Sequence, residues 1–317
     1  MSAVVSPPGT ATRLGKRGRS HVADRALATL TTAAAVIILA MLLVIVGDVV
    51  IGGAKVISWE FISAAPRDGM TAGGVFPAIF GTVALTLLMT IGAVPAGVAT
   101  AIYLTEYASP RSRVARLMRV CIANLAGVPS IVFGLFGLGF FISTVGRHID
   151  AVAYGGQVTY GKPSLIWASL TLAILTLPVV VVATEEALRA VPREMREASL
   201  ALGATKLQTI LRVVLPQATG GIMTGGILAV SRGAGEVAPI MFTGAAYFLP
   251  FLPTHPNDQF MNLGYHAYVL ATQSPDVDRT KPLLYGTVLV LLALTFLLNI
   301  VAITIRARSR RKARAHG

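Results

Sequence analysis

The chain has 317 residues, of which 54% are hydrophobic and only 13% charged, with a formal net charge of +13. A soluble domain carries about 25% charged residues; half that charge leaves too little polar surface to cover a globule, which excludes a wholly water-soluble protein of this length. The basic excess would fit a nucleic-acid binder, but the placement of the charges along the chain argues against one.

Residues 1–27 are polar and basic, and a long apolar run follows over 28–46. That run exceeds a signal-peptide core and no small-x-small cleavage pattern follows it closely, so it reads as an uncleaved first span. Further apolar runs cover 76–104, 120–145 and 164–184. Cys121 stands at the start of the third run and is the only cysteine, which rules out an intrachain disulfide and fits no metal spacing. A fifth run starts near 218, is interrupted by Arg232 and Glu236, and resumes to about 252; the sixth covers 283–305. Each reaches the roughly 20 residues a span requires. Backbone groups must be satisfied internally in lipid, so the expected fold is an all-α membrane protein with six transmembrane helices.

Lysine and arginine counts orient the spans. One side receives residues 1–27, the second-to-third loop, the fourth-to-fifth loop and the tail, with 20 of the 27 cations; the other receives six, and Arg232 lies within the fifth span. Both termini are therefore expected in the cytoplasm. The same asymmetry explains the basic tail through topology and anionic lipid, without nucleic acid.

The fourth-to-fifth loop, 185–216, encodes more than a connection. Pro192 suits the first turn of a helix, after which Met195, Ala198, Ser199 and Leu202 share one face. Gly203 is a stop signal, and Thr205 with Gln208 makes a capping-box pattern for a second helix leading to Leu215 and Pro216. Helix, glycine turn and helix form a short knob suited to a groove on a partner. An amphipathic helix lying on the lipid surface would show the same pattern.

Glu197-Ala198-Ser199, three residues, Gly203, nine residues, then Val213-x-Leu215-Pro216 resembles the EAA signature of ABC-importer permeases, with Ser199 and Val213 as conservative departures. In that family the loop is the coupling helix that docks on a separate ATPase. The resemblance implies the type I ABC importer (MetI-like) permease fold, alternating access, and no catalytic residue or bound cofactor on this chain. ATP and Mg would belong to the partner. The nearest phosphate-loop candidate, Gly15-Lys16, is followed by Arg17 and lacks the upstream glycine.

Other stretches are similar to PstA-type phosphate permeases: Gly81-Thr82, Tyr103 to Tyr107, and Gly127-Val128-Pro129-Ser130-Ile131-Val132-Phe133-Gly134, placed in the third span. After the loop, Arg232-Gly-Ala-Gly-Glu236-Val237-Ala238-Pro239 resembles R-A-x-G-E-T-A-P, with Gly233 for alanine and Val237 for threonine. The resemblance runs from about residue 75 onward. Joined to the apolar and basic runs read above, it divides the chain into a basic segment 1–27, a first span with outer loop 28–75, a permease domain 76–305 and a basic tail 306–317. It also implies a PstC-like sister permease, PstB-like ATPases, a PstS-like phosphate-binding protein and inorganic phosphate as partners.

Arg232 and Glu236, four apart, are expected on one helix face deep in the fifth span. Either they neutralise each other in an interface, or Arg232 gives a passing phosphate a transient partner while Glu236 holds or releases it. Glycines 221, 225, 226, 233 and 235 would let neighbouring backbones approach. Pro129 and Pro178 are expected to kink their helices, and the stretch 254–281 to be a solvated loop. Three alternatives stay open: a permease for another oxyanion or small solute, a secondary transporter or channel, and a membrane-embedded enzyme. The last two lack, respectively, internal repeats and a nucleophile or metal constellation.

Overall fold

The computed structural model describes residues 17–109, 111–274 and 276–315, with side chains for all of these except 17–22, 69 and 309–315. Arg13 and Lys16 of the basic segment, and the side chains of Arg310, Arg311, Lys312 and Arg314 of the tail, lie outside this description. The chain forms two units, residues 1–51 and 52–317. The described residues of the first belong to one helix, α1 (Arg17–Ala54). Leu39, Leu42 and Leu43 on it are all more than half exposed, as on a helix solvated by lipid.

The second unit opens with a short helix, α2 (Trp59–Ser63), and a two-stranded antiparallel hairpin, β1 (Pro66–Arg67) and β2 (Ala72–Gly73), paired Pro66 to Gly73. The long helix α3 (Phe76–Tyr107) follows and finishes in a widened π turn over Tyr103–Tyr107. Next come α4 (Arg113–Ala126), α5 (Ser130–Ala153) and α6 (Leu165–Arg189). Among the described residues, six helices are long and apolar enough to cross a membrane, and each corresponds to an expected span with shifted ends.

The third span requires the largest correction. Residues 120–126 belong to α4, an amphipathic helix whose Ala115, Met118 and Ile122 pack inward while Arg113 and Arg116 are exposed. Gly127 is the C-cap of α4 and Pro129 the N-cap of α5, so Gly127 and Pro129 precede the span instead of lying in it, and Ser130 opens it. Proline lacks the N–H that a helix interior needs, so Pro129 separates two helices where a kink was expected. Pro178 does lie inside α6, fully packed. At its far end α5 runs on to Arg147 and Asp150. The Asp150 carboxylate accepts backbone N–H bonds from Thr159 (3.0 Å), Tyr160 (2.7 Å) and Gly161 (2.7 Å) and so closes the loop into α6.

α6 is the centre of the unit, with α3 on one side and α8 (Lys206–Ala234) on the other. Close approach depends on small residues. A Cβ on Gly221 or Gly225 of α8 would collide with Ala187 or Ala183 of α6, and Gly97 of α3 sits against Val180. Gly226 and Gly235, also expected at such contacts, touch no neighbouring backbone. The helix α7 (Arg193–Ala201) joins α6 to α8. The fifth span therefore starts at Lys206, twelve residues before the apolar run begins, and ends at Ala234. Beyond it a single turn, α9 (Ile240–Thr243), leads into a segment that folds back through an Ala245–Phe260 bridge; Phe260 is completely buried.

The expected solvated loop at 254–281 instead contains α10 (Leu263–Thr272), whose Leu263, His266, Val269 and Leu270 are buried. Its ten residues cannot span a bilayer, but a short apolar helix of this size is at home in a protein core. Thr82 anchors its start: the hydroxyl donates to Ala78 O (2.7 Å) and accepts from Leu263 N–H (2.9 Å). Beside it a Cβ at Gly81 would strike Met261 O, which explains the Gly81-Thr82 pair. Helix α11 (Val277–Ala315) completes the unit against α8 and α10.

Among the described residues His266 is the one buried histidine. Its Nδ1 has no hydrogen-bond partner, and burial lowers its pKa from the ordinary 6.5 to about 4. The unfolded chain binds this proton below pH 6.5 and the folded chain does not until pH 4, so stability falls as pH drops through that window. The loss reaches about 3 kcal/mol. His266→Leu is expected to flatten the thermal stability of the purified protein over that window; an unchanged pH profile would refute the assignment.

Candidate functional site

Two places gather the residues that the sequence singles out. The first is the end of α8. Gly235 caps this helix, its N–H bonding Arg232 O (3.3 Å), and Glu236 N–H bonds Gly233 O (3.3 Å); Pro239 is then the N-cap of the separate turn α9. Arg232 is thus in the last helical turn and Glu236 already beyond the cap, so the two do not share a helix face as expected. They still meet, Arg232 Nε to Glu236 Oε1 at 3.5 Å. Their side chains are 40% and 20% exposed. This is longer than a charge-assisted hydrogen bond of about 2.8 Å, so the guanidinium is loosely held and most of its donor fork is free of Glu236.

The turn after Glu236 packs on α5. A Cβ on Gly134 would collide with Pro239 and the Phe242 ring, and one on Gly137 with Thr171 and Thr243. The Gly127–Gly134 stretch and the Arg232–Pro239 stretch, about a hundred residues apart, therefore touch through Gly134 and Pro239. The two departures from the usual pattern have local partners. Met89 sulfur fills the space that a Cβ at Gly233 would take, and the Val237 side chain lies over Gly264. Ser231 Oγ donates to Asn299 Oδ1 (2.6 Å), tying α8 to α11.

The second place is the arginine-rich end, around α7. Pro192 is its N-cap, Gly203 has φ +84°, and the Thr205–Gln208 capping box is fully formed. The helix–turn–helix is as expected except that its second helix is α8 itself. The connection proper is therefore 190–205, shorter than 185–216, and α7 is linked directly to a membrane-spanning rod. The π turn over Ile210–Val214 widens α8 just before Pro216, giving the proline ring room. Glu197, Ala198 and Gly203 are exposed, and Leu202 at the tip is 89% exposed; Leu215 packs inward, and Pro216 faces out. Ser199 Oγ shares a hydrogen bond with Thr209 Oγ1 (3.0 Å), a use for the hydroxyl that replaces the signature alanine.

Beside α7 lies an open cavity of about 850 Å³ lined by Glu106, Arg119, Arg189, Arg193, Arg196 and Glu197 among others. Arg119 donates to Leu104 O (2.7 Å), and Glu185 pairs with Arg189 (2.7 Å). Arg196 and Glu106 form an ion pair at 3.0 Å that nothing in their local sequence announces, because they lie 90 residues apart. Farther off, Asp258 is engaged within its own loop. Backbone N–H bonds from His255 (2.9 Å) and Thr254 (3.0 Å) help hold its carboxyl below the ordinary range. Among the described residues no group of three His, Cys, Asp or Glu side chains could hold a metal ion.

Among the described residues, six apolar helices, a central helix flanked by small-residue contacts and an exposed helix-and-turn connection at one end make a multi-span membrane fold. The chain belongs to the family of binding-protein-dependent transport system inner membrane components, whose model matches residues 93–315. Over 244 residues it is 36% identical to the phosphate transport system permease protein PstA 1 of Mycobacterium tuberculosis (strain ATCC 25618 / H37Rv), covering 77% of this chain and 73% of that one. It is 32% identical over 243 residues to the probable ABC transporter permease protein YqgI of Bacillus subtilis (strain 168), covering 73% and 78%. In fold it is similar to a chain of the inward-facing MetNI methionine ABC transporter, with a TM-score of 0.56 at 19% identity over 73% of this chain and 94% of that one. The protein is a transmembrane permease subunit of an ABC-type importer.

Proposed function

We propose that this subunit passes inorganic phosphate and takes its energy from a separate ATPase through α7. The observation that carries the substrate is Arg232. It stands at the break between α8 and α9 with a counter-ion 3.5 Å away and is 40% exposed on this single chain. A guanidinium suits a tetrahedral oxyanion, and a loosely held one exchanges Glu236 for phosphate and back without trapping it. The 36% identity to a phosphate permease supports the same reading.

In this reading both termini are cytoplasmic and α7, with Glu197, Ala198 and Gly203, docks on a PstB-like ATPase that holds ATP and Mg. A PstC-like subunit supplies the other half of the pathway and a PstS-like receptor delivers phosphate from the opposite side. Closure of the ATPases on ATP moves α7. Because α7 and α8 share the Ser199–Thr209 bond and one tight turn, α8 moves with it and carries Arg232 between inward and outward access. The chain itself performs no hydrolysis.

The test is purification of the tagged chain with its partners in a lipid nanodisc. Co-purification of an ATPase and a second permease, with ATPase activity raised by a phosphate-loaded receptor and not by a sulfate-loaded one, is expected. Stimulation by sulfate or an organic solute instead would overturn phosphate as the substrate.

A further inference from the structure

We propose that Arg196 and Glu106 form the link through which α7 drives α3, with Arg196 also stiffening the short connection from α7 to α6. This rests on the reading of α7 as the ATPase-coupling helix. α7 is continuous with α6 through residues 190–192 and with α8 through the tight turn reinforced by Ser199 and Thr209. Its tie to α3 is a single side chain. Arg196 Nη1 donates to Val191 O (2.6 Å), and Nη2 donates both to Leu188 O (2.7 Å) and to the Glu106 carboxylate (3.0 Å). Leu188 lies in the last turn of α6 and Val191 just beyond it, where unpaired carbonyls and the helix dipole favour a cation. Glu106 lies in the final π turn of α3. One guanidinium thus joins three helices.

The site is built to hold. The Arg196 and Glu106 side chains are 18% and 10% exposed, in contrast to the 65% and 68% of the surface pair Arg67–Glu60. Exposed pairs contribute little, whereas removing one partner of a shielded, hydrogen-bonded pair leaves the other charge unsatisfied. The planar fork is what allows three acceptors at once; a lysine ammonium on a shorter reach would not satisfy two carbonyls and a carboxylate in that plane. With the link present, a push on α7 reaches three helices, so the bundle rocks as a body. Without it, the push reaches α6 and α8 only along the chain, and α3 loses its bond to α7. Arg196 is on this account a positioning residue that touches neither ATP nor solute.

The test uses the whole transporter in proteoliposomes, with solute imported per ATP hydrolysed as the readout. Glu106→Gln, which keeps the side-chain shape, and Arg196→Lys are each expected to retain the ATPase on purification while solute per ATP falls at least tenfold. The Glu106→Gln/Arg196→Gln double variant is expected to be no worse than Arg196→Gln alone, because both act through one contact. A wild-type ratio in the single variants, or losses that multiply in the double, would overturn the link. A control separates this from the coupling reading: Leu202→Asp at the tip should release the ATPase. If it does not, the coupling reading fails; if it does while Glu106→Gln and Arg196→Lys import normally per ATP, only the link fails.

Discussion

Arg232→Gln is expected to abolish phosphate uptake while the subunit still assembles in the membrane. Glutamine keeps the length and polarity of the side chain but removes the charge and the donor fork. Hydrogen bonds to charged groups contribute about 1.5–3 kcal/mol each, so losing one or two of them from the rate-limiting passage lowers uptake by ten- to a thousandfold or more. The substitution also strands Glu236, whose side chain is only 20% exposed. For that reason the Arg232→Gln/Glu236→Gln variant is the sharper form of the experiment. It removes the unpaired charge, so assembly should match the wild type, yet uptake of radiolabelled phosphate into cells should remain absent. Normal uptake by either variant would end the pathway role of Arg232. A charge swap, Arg232→Glu with Glu236→Arg, that restores uptake would identify the pair as structural only.

Leu202→Asp is expected to release the ATPase partner without unfolding the permease. Leu202 is 89% exposed and belongs to no core cluster, so an aspartate there costs the isolated chain almost nothing. At the centre of a docked interface a large apolar anchor is worth 2 kcal/mol or more, which corresponds to about a thirtyfold loss of affinity. The loss would be read as ATPase recovered with the tagged permease. Gly203→Val should reach the same end by another route. With φ at +84° a β-branched residue is strained, and the angle between α7 and α8 would change. If α7 instead lay on the lipid surface, Leu202→Asp would weaken membrane retention and leave ATPase recovery intact.

Much of the architecture was legible in the sequence because lipid imposes one rule on every span: enough consecutive apolar residues, with internal backbone bonds. That rule alone located all six helices, and the local chemistry of Gly203, Thr205 and Gln208 located the turn and the cap before α8. Span ends were less legible. Apolar content does not distinguish a helix inside the membrane from an amphipathic one beside it, so residues 120–126 of α4 have the composition of a span although Gly127 and Pro129 break the backbone before the third span begins. The same rule passes over α10, too short to span and recognisable only from what buries it. The spacing of Arg232 and Glu236 implied a shared helix face, an inference that fails wherever a helix stops between two residues, as this one does at Gly235.

The sequence by itself therefore determined that this is a helical membrane protein with a capped helix–turn–helix between its fourth and fifth spans, since those properties depend on residues within one turn or one span of each other. Only the tertiary structure decided which distant residues meet: Gly134 under Pro239, Thr82 under the start of α10, and Arg196 against Glu106. Side-chain packing across the chain has no period to read. Its partners are selected by shape and charge once the helices are side by side.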